Sequence, residues 1–545
     1  MWKFFNKKDP WYRNAVIYQI YPWSFKDSNG DGIGDLEGII EKLDYLNDGT
    51  PKSLGVEAIW ISPIFPSPMK DFGYDISDYK NIDPRFGDLE TFDRLVKEAH
   101  KRGIKIILDL VTNHTSSEHP WFKESRSSKD NPKRDWYVWH DPKPDRSEPN
   151  NWLAVSGGPA WTLDEATGQY YLHNFLSSQP DLNWRNEEVK NEMKSVIQFW
   201  LKRGVNGFRV DAMSHFIEDS ELRDDPINPL YTPGDNPYRK LIHTYSDNRP
   251  ETANIINFLC EATANYKDTL IVTESYLSLP ELIKIYNSVP YPNHSPFNFN
   301  FLGMTWSAEQ YRTFADWFDS LVGPLRTPTY VLGNHDNGRL MSRIGHQRTR
   351  ISAMMLLTLR GMPFIYYGDE IGMKDGVIPP SMFRDGFATS SPAPAASRDP
   401  ERTPMQWTSQ EGSGFSTGTP WLPVSDNFGS VNVEHESADP ASLLNLYREI
   451  LLLRRTMPSL HSGDYISFPT TSRDIFFYCR QKDGEKCFVV LNFSDKTVTQ
   501  HHDVEKVKIL CSTYMDSERN FPSDKEIVLR PFEGIIFTVI NESER

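Results

Sequence analysis

Residues 191–212 read Asn191-Glu-Met-Lys-Ser-Val-Ile-Gln-Phe-Trp-Leu-Lys-Arg203-Gly-Val-Asn-Gly207-Phe-Arg209-Val-Asp211-Ala212. Asn191–Arg203 reads as a helix, and Gly207–Val210 as a short strand that ends on charged residues. A helix feeding such a strand is the unit of a βα repeat. Working outward in both directions, seven further short runs fit the same role: Val16–Tyr21, Ala58–Ser62, Lys105–Leu110, Leu270–Thr273, Phe297–Phe301, Thr329–Leu332 and Pro363–Tyr367. Helical stretches such as Leu89–Arg102 separate several of them. Eight strands alternating with helices predict an α/β fold, a closed (β/α)8 TIM barrel rather than an open sheet.

Two intervals are too long to be ordinary βα loops. Residues 113–178 are rich in Pro, Trp, Asn and Ser, and read as a small domain inserted after the third strand. Residues 372–407 read as a long loop after the eighth. The barrel therefore occupies 1–112 and 179–460. From 461 to 545 the pattern changes to alternating strands and tight turns, such as Ile475–Arg480, Asp483-Gly484 and Cys487–Asn492, which predicts a C-terminal antiparallel β domain.

The formal charge of −15 argues against nucleic acid and anionic membrane surfaces as partners and suits a neutral or cationic substrate better than a phosphorylated one. No run of eighteen apolar residues exists, so no membrane span is expected. Met1–Ile20 carries Lys3, Lys7, Lys8, Asp9 and Arg13 with no apolar core, which reads as a cytoplasmic chain; a secreted chain whose leader has been removed is the alternative. Four cysteines are too few for a disulfide scaffold and read as reduced thiols, with one bridge between Cys479 and Cys487 as the alternative. An aromatic content of 13% suits both ordinary packing and platforms for sugar rings.

The chemistry lies at the C-terminal ends of the strands, which share one face of a barrel. Strand three ends Asp109-Leu-Val-Thr-Asn113-His114, strand four Gly207-Phe-Arg209-Val-Asp211-Ala212, strand five Thr273-Glu274-Ser275, and strand seven Gly333-Asn334-His335-Asp336. One carboxylate at a strand end is commonly structural. Three, from strands four, five and seven, with two histidines and an arginine, make a costly cluster of like charge. Two carboxylates with different tasks are what glycoside hydrolysis requires.

These four segments, in this order, resemble the signature regions of the α-amylase family of glycoside hydrolases. Gln179-Pro-Asp-Leu-Asn183 resembles a region of its oligo-1,6-glucosidase/α-glucosidase branch. Thr273–Leu279 and Leu332–Arg339 are most similar to animal-type maltases and sucrose hydrolases. The resemblance implies Asp211 as nucleophile, Glu274 as acid/base and Asp336 as stabiliser of the oxocarbenium-like transition state. It implies that Arg209 keeps the nucleophile ionised and that His114 and His335 donate to sugar hydroxyls. In the strand-two loop, Asp71 would bind remote hydroxyls and Tyr74 would stack on the ring, while Asp75 is structural. Arg402 would pair with Asp71 and seal the pocket, and Phe175 would be an apolar wall. A sealed pocket accepts a chain end and rejects internal bonds.

Ser156 stands where relatives usually carry Phe, which predicts ring binding weaker by roughly a kcal/mol unless Val155 or another side chain compensates. Ala212, next to the nucleophile, accompanies α-1,4 rather than α-1,6 preference in this branch. The implied activity is therefore a retaining exo-α-glucosidase for maltose-like bonds or sucrose. Sucrose hydrolysis, action on trehalose and glucosyl transfer share the same intermediate. A non-catalytic transporter-associated homologue would need a membrane anchor and could dispense with the carboxylates.

Asp27-Ser-Asn29-Gly-Asp31-Gly-Ile33-Gly-Asp35 places oxygen ligands at alternate positions, like the front half of a calcium loop; residue 38, where an EF-hand has Glu, is Gly. A solvated Asx-rich turn is the alternative. In the family, Asp27, Asn29, Asp31, the Ile33 carbonyl and Asp35 would hold a structural Ca2+, or Mg2+ in its place. No organic cofactor is implied. The partners expected are a disaccharide or short oligosaccharide and no macromolecule, with the chain a monomer or weak homodimer.

Overall fold

The structure, a computed structural model, describes residues 9–389, 397–503, 507–516 and 525–539. Lys3, Lys7 and Lys8 of the N-terminal reading, and residues 390–396 of the loop expected over 372–407, lie outside the described residues.

Eight parallel strands form the central sheet: β1 (Ile17–Ile20), β2 (Ala58–Ile61), β3 (Lys105–Leu110), β4 (Gly207–Val210), β5 (Leu270–Thr273), β6 (His294–Pro296), β7 (Thr329–Val331) and β8 (Met362–Tyr366). Their order is β7-β8-β1-β2-β3-β4-β5-β6. The sheet curls until β6 and β7 face each other, and there side-chain bonds stand in for a ladder. The Thr329 hydroxyl donates to the Pro296 carbonyl at 2.8 Å and accepts the Asn298 N–H at 3.0 Å. Pro296 has no N–H to give a ladder, so the seam falls where the sequence cannot pair.

The sixth strand lies three residues before the predicted Phe297–Phe301. The alternation Phe-Asn-Phe-Asn-Phe resembles a strand, but it belongs to the turn that follows β6. Phe297 and Phe299 fill the barrel interior beside Trp60 and Phe364. Phe301 packs outward on Tyr311 and Tyr330. The true strand, His-Ser-Pro, carries no apolar pattern, and it is fixed by hydrogen bonds from Ser295 Oγ to the Thr327 carbonyl and between His294 and Thr273.

Strand alternation separates two environments. Inward residues Ile17, Ala58, Trp60, Ile107, Leu270, Val272, Val331 and Phe364 form a dry plug. Outward residues such as Tyr18, Ile59, Leu108, Phe208, Val210 and Ile271 pack on the surrounding helices. Because successive side chains alternate, Arg209 and Asp211 share the inward direction of Gly207, while Phe208 and Val210 cover the outside.

Within 113–178, Trp139–His140, Gln169–Leu172 and Trp161–Asp164 form a small antiparallel sheet. The predicted start of the C-terminal domain at 461 falls inside a last short helix, Pro458–Ser462. A five-stranded antiparallel sheet follows it, with a separate pair from Val498–His501 and Glu526–Leu529. The hairpin register sets Cys479 opposite Phe488 and Arg480 opposite Cys487. The two cysteines therefore lie on opposite faces, Cys479 among Phe477 and Phe488, and Cys487 towards the barrel side; they are not bridged. No helix among the described residues is long and apolar enough to cross a membrane.

Arg454, on the helix Leu443–Thr456, closes the foot of the barrel. Its guanidinium donates to the carbonyls of Leu357, Leu359, Gly361 and Asn14 at 2.6–3.3 Å. Arg454→Met leaves these buried carbonyls without donors and should lower stability by about 3 kcal/mol or more. Calorimetry should record a drop of several degrees in Tm; an unchanged Tm would assign the foot of the barrel to apolar packing alone.

Candidate active site

Asp211 follows β4 and Glu274 follows β5, and one guanidinium spans them. Arg209 lies 2.6 Å from Asp211 Oδ1 through Nη1 and 2.8 Å from Glu274 Oε2 through Nη2. The same Nη1 reaches Asp109 Oδ1 at 2.8 Å. Asp109 is held in turn by Trp60 Nε1 and the Tyr74 hydroxyl. Glu274 Oε2 also accepts the N–H of Ala212 at 3.0 Å. That N–H points at Glu274 because Ala212 adopts a left-handed backbone, φ 48°, uncommon for a residue with a Cβ.

A second charge network lies across the pocket. Arg398 donates to Asp336 Oδ1 at 2.9 Å, to Asp71 Oδ1 at 2.7 Å, and through two bonds to Asp385. The expected pairing of Arg402 with Asp71 is not formed. Arg402 instead donates to the His335 carbonyl at 2.8 Å and to Asp336 at 3.1 Å. The reason is local: Asp399–Arg402 is a 3-10 turn, so residues 398 and 402 leave it in different directions.

His335 is stacked on Tyr74 at 5.2 Å and on Tyr21 at 5.9 Å. The Gln19 amide donates to its Nδ1 at 2.8 Å, which leaves the proton on Nε2, 3.4 Å from Asp336. Burial keeps the ring neutral by holding its pKa well below the ordinary value. His114 is also buried and lowered to about 4. Its Nε2 is engaged by the Tyr74 carbonyl at 2.9 Å, so a sugar hydroxyl must compete with that contact.

These groups line a pocket of about 400 Å3. Asp71, Tyr74, His114, Phe175, Asp211, Glu274, His335 and Asp336 all face it, whereas Arg209 and Arg402 stand behind the wall. Ser156 is buried with its hydroxyl donating to the Phe175 carbonyl, and does not line the pocket. Val155, Phe175 and Phe387 supply apolar surface there. Sequence reasoning missed Phe387, Arg398, Asn236, Tyr276 and Asn337. Arg398 was within reach, since it opens the same motif as Arg402. Phe387 carries no signal, because it stands in a single helical turn, Gly386–Thr389, too short to show a period; the Arg398 guanidinium covers its ring at 4.1 Å. Tyr276 and Asn337, hydrogen-bonded at 3.1 Å, stand at the mouth, where Tyr276 is 60% exposed.

Burial first, then the negative charges of Asp211 and Asp336, raise Glu274 to about 8, against the lowering pull of Arg209. Burial and Asp109 raise Asp211 less, to about 6, because Arg209 and a hydrogen bond with Glu274 both lower it. Asp336 goes the other way: burial would raise it, but the facing Nε2–H of the neutral His335 and the charges of Arg398 and Arg402 hold it well below the usual carboxylate range. At neutral pH Glu274 therefore carries a proton while Asp211 and Asp336 are ionised, an acid beside two carboxylates.

The oxygen-rich loop after β1 lies apart from this pocket. Asp27 accepts the N–H groups of Asn29, Gly30 and Gly32 and the Ser416 hydroxyl. Asn29 and Asp31 each accept one further N–H, and Asp35 caps the helix that begins at Leu36. Among the described residues no cluster of three or more His, Cys, Asp or Glu side chains is set to hold a metal.

A family model described as "Alpha amylase, catalytic domain" matches residues 19–463. A "Probable alpha-glucosidase" of Rhizobium meliloti is 40% identical, covering 94% of this chain and 96% of its own length. An "Oligo-1,6-glucosidase" of Heyndrickxia coagulans is 38% identical over 97% of this chain and 99% of its own. Among solved structures, an alpha-glucosyl transfer enzyme is similar with a TM-score of 0.90 and 36% identity, covering 98% of this chain and 100% of its own.

Catalysis that needs Asp211 ionised and Glu274 protonated should give a bell-shaped pH profile. Below the acid limb, near 6, Asp211 takes a proton and cannot attack; above the alkaline limb, near 8, Glu274 loses the proton it must give. A profile of kcat/KM still rising at pH 9 would exclude Glu274 as the acid.

Proposed function

We propose that this chain, which belongs to the alpha-amylase family and is a glycoside hydrolase acting on α-glucosides, works as a retaining exo-α-glucosidase. It removes the terminal non-reducing glucosyl residue of short oligosaccharides. The observation that carries the reading is the single Arg209 guanidinium spanning Asp211 and Glu274 at the foot of a closed-ended pocket. Two carboxyl groups bound by one guanidinium are close-set, which suits a retaining pair (~5–5.5 Å) better than an inverting one (~6.5–9.5 Å).

In the first step an Asp211 oxygen bonds to the anomeric carbon while the bond to the leaving oxygen breaks. Glu274 gives its proton to that oxygen. Ester formation removes the negative charge of Asp211, one of the influences that raise Glu274, so its pKa falls and it becomes a base. It then takes a proton from water, whose oxygen bonds to the anomeric carbon and releases Asp211 as a carboxylate. Two inversions return the α configuration. Asp336, ionised and fixed by Arg398 and Arg402, stabilises the positive charge that develops on the sugar.

Exo action is supported by the Asp71–Arg398–Asp336 bonds that close the inner end of the pocket. Ala212 supports α-1,4 bonds or sucrose over α-1,6 bonds, since a methyl group leaves room beside the nucleophile. Glucosyl transfer is the second reading, favoured by the likeness to an alpha-glucosyl transfer enzyme. A cytoplasmic setting is part of the proposal and agrees with four buried, unbridged cysteines. So is action on small α-glucosides as a monomer or weak homodimer.

We also propose a structural Ca2+, or Mg2+ in its place, at the loop after β1. Asp27, Asn29, Asp31, the Ile33 carbonyl and Asp35 form an all-oxygen donor set of the hard type these ions take. The ion would supply rigidity, and no step of the reaction passes through it.

Two experiments test these readings. NMR of the first product from maltose, sucrose and isomaltose should show α-glucose, with isomaltose the slowest substrate. Asp211→Asn should reduce turnover by about 10³-fold or more. Initial β-glucose would replace retention by inversion, and isomaltose turned over as fast as maltose would overturn the linkage reading. Dialysis against EDTA should lower Tm by a few degrees, with recovery on adding Ca2+; an unchanged Tm would assign the loop's order to its own hydrogen bonds.

A further inference from the structure

A second cavity, of about 240 Å3, opens at the seam between the barrel and the C-terminal domain. The helix His346–Thr358 starts there from Gly345, φ 78°, with no side chain capping its first N–H groups. Among the described residues the N–H groups of His346, Gln347 and Arg348 have no backbone or side-chain acceptor. Neither does the sequence place an acid in that first turn; it places His346 and Arg348 there, against the helix dipole. Thr513 and Pro531–Phe532 of the C-terminal domain form the opposite wall.

Arg350 projects into this cavity and is only 8% exposed. Its Nε donates to the Thr513 carbonyl at 2.6 Å, and among the described residues its two Nη groups have no hydrogen-bond or ion-pair partner. A buried guanidinium normally has its fork filled by a carboxylate or by carbonyls, as Arg209, Arg398 and Arg454 do. The acidic groups that Arg350 senses, Glu436 and Asp439, form no ion pair with it; Glu436 is turned to the Leu444 N–H. Lys374 adds positive charge on the His346 side.

We propose that this seam binds a phosphate group, which would bridge the unfilled Arg350 fork and the free N–H groups of the helix start. An uncapped helix start supplies backbone donors and a favourable dipole for such an anion, and a planar fork fits its oxygens in pairs. The cavity leaves room beside the phosphate for a ring against Phe532 and Pro531, so both free phosphate and a sugar phosphate share the recognised chemistry. Occupancy ties the barrel helix to the C-terminal domain and stabilises their contact.

Calorimetric titration of the full chain at constant ionic strength, with inorganic phosphate, glucose 6-phosphate and glucose, tests the site. One saturable site for phosphate is expected, with a Tm rise of a few degrees that chloride does not give. Tighter binding of glucose 6-phosphate than of phosphate would identify a sugar phosphate as the ligand; equal binding would identify free phosphate. His346→Glu, at the exposed rim, should weaken binding at least tenfold while the ligand-free Tm does not fall, since an acid suits a helix start. Arg350→Lys, which keeps the charge but not the fork, should weaken it as well. No saturable binding of either phosphate compound would overturn the proposal. So would binding unchanged in His346→Glu, or glucose binding as tightly as glucose 6-phosphate.

Discussion

The Arg209 guanidinium is the group on which the site depends. A buried positive charge is costly unless paired, and Arg209 takes its pairs from three adjacent strands: Asp109 on β3, Asp211 after β4 and Glu274 after β5. Each partner must therefore be held at the correct height above the apolar plug. Trp60 and Tyr74 fix Asp109 from the second strand and its loop. The left-handed turn at Ala212 gives Glu274 a backbone N–H. A residue that only kept the nucleophile ionised would need one of these contacts; three make Arg209 the positioning residue for both reacting carboxyl groups.

Charge balance then decides which carboxyl group is the acid. Six carboxyl groups, the buried Asp71, Asp109, Asp211, Glu274 and Asp385 and the part-buried Asp336, share three guanidinium groups, Arg209, Arg398 and Arg402. They cannot all be ionised at modest cost in a water-poor cavity. Asp336 and Asp385 are pulled down by Arg398 and Arg402. Glu274, with only a share of Arg209 and with negative neighbours, holds the proton. The network produces an acid at neutral pH by leaving one carboxyl group short of positive charge.

Much of this was legible from strand ends. A short apolar run ended by a polar group at inward parity places that group at the mouth of a barrel, so Asp211, Glu274, Asp336 and Arg209 could be read directly. The sixth strand could not, because His294-Ser-Pro296 is held by side-chain hydrogen bonds and carries no alternation, while the alternating phenylalanines after it fill the interior. The choice between Arg398 and Arg402 depends on a 3-10 turn that four residues of sequence do not reveal. Phe387 reaches the pocket from a helical turn of four residues, Gly386–Thr389, too short for a periodic pattern, so the aromatic surface at the site was not predictable from position 156. The bridge between Cys479 and Cys487 is excluded by a register of one residue.

The same division separates catalysis from the fate of the glucosyl ester. In the proposed mechanism the buried network holds one sugar, and none of its groups distinguishes water from a second sugar as acceptor. Both would need only a base beside the ester, the part proposed for Glu274. Discrimination must come from groups that an acceptor touches on its way in: the Tyr276–Asn337 pair, Asn236 and the exposed edge of the mouth. These side chains carry little burial and few hydrogen bonds, so they can change without disturbing the charge balance below. Hydrolysis and transfer can therefore arise on one unaltered catalytic core, with the outcome set where the pocket meets solvent.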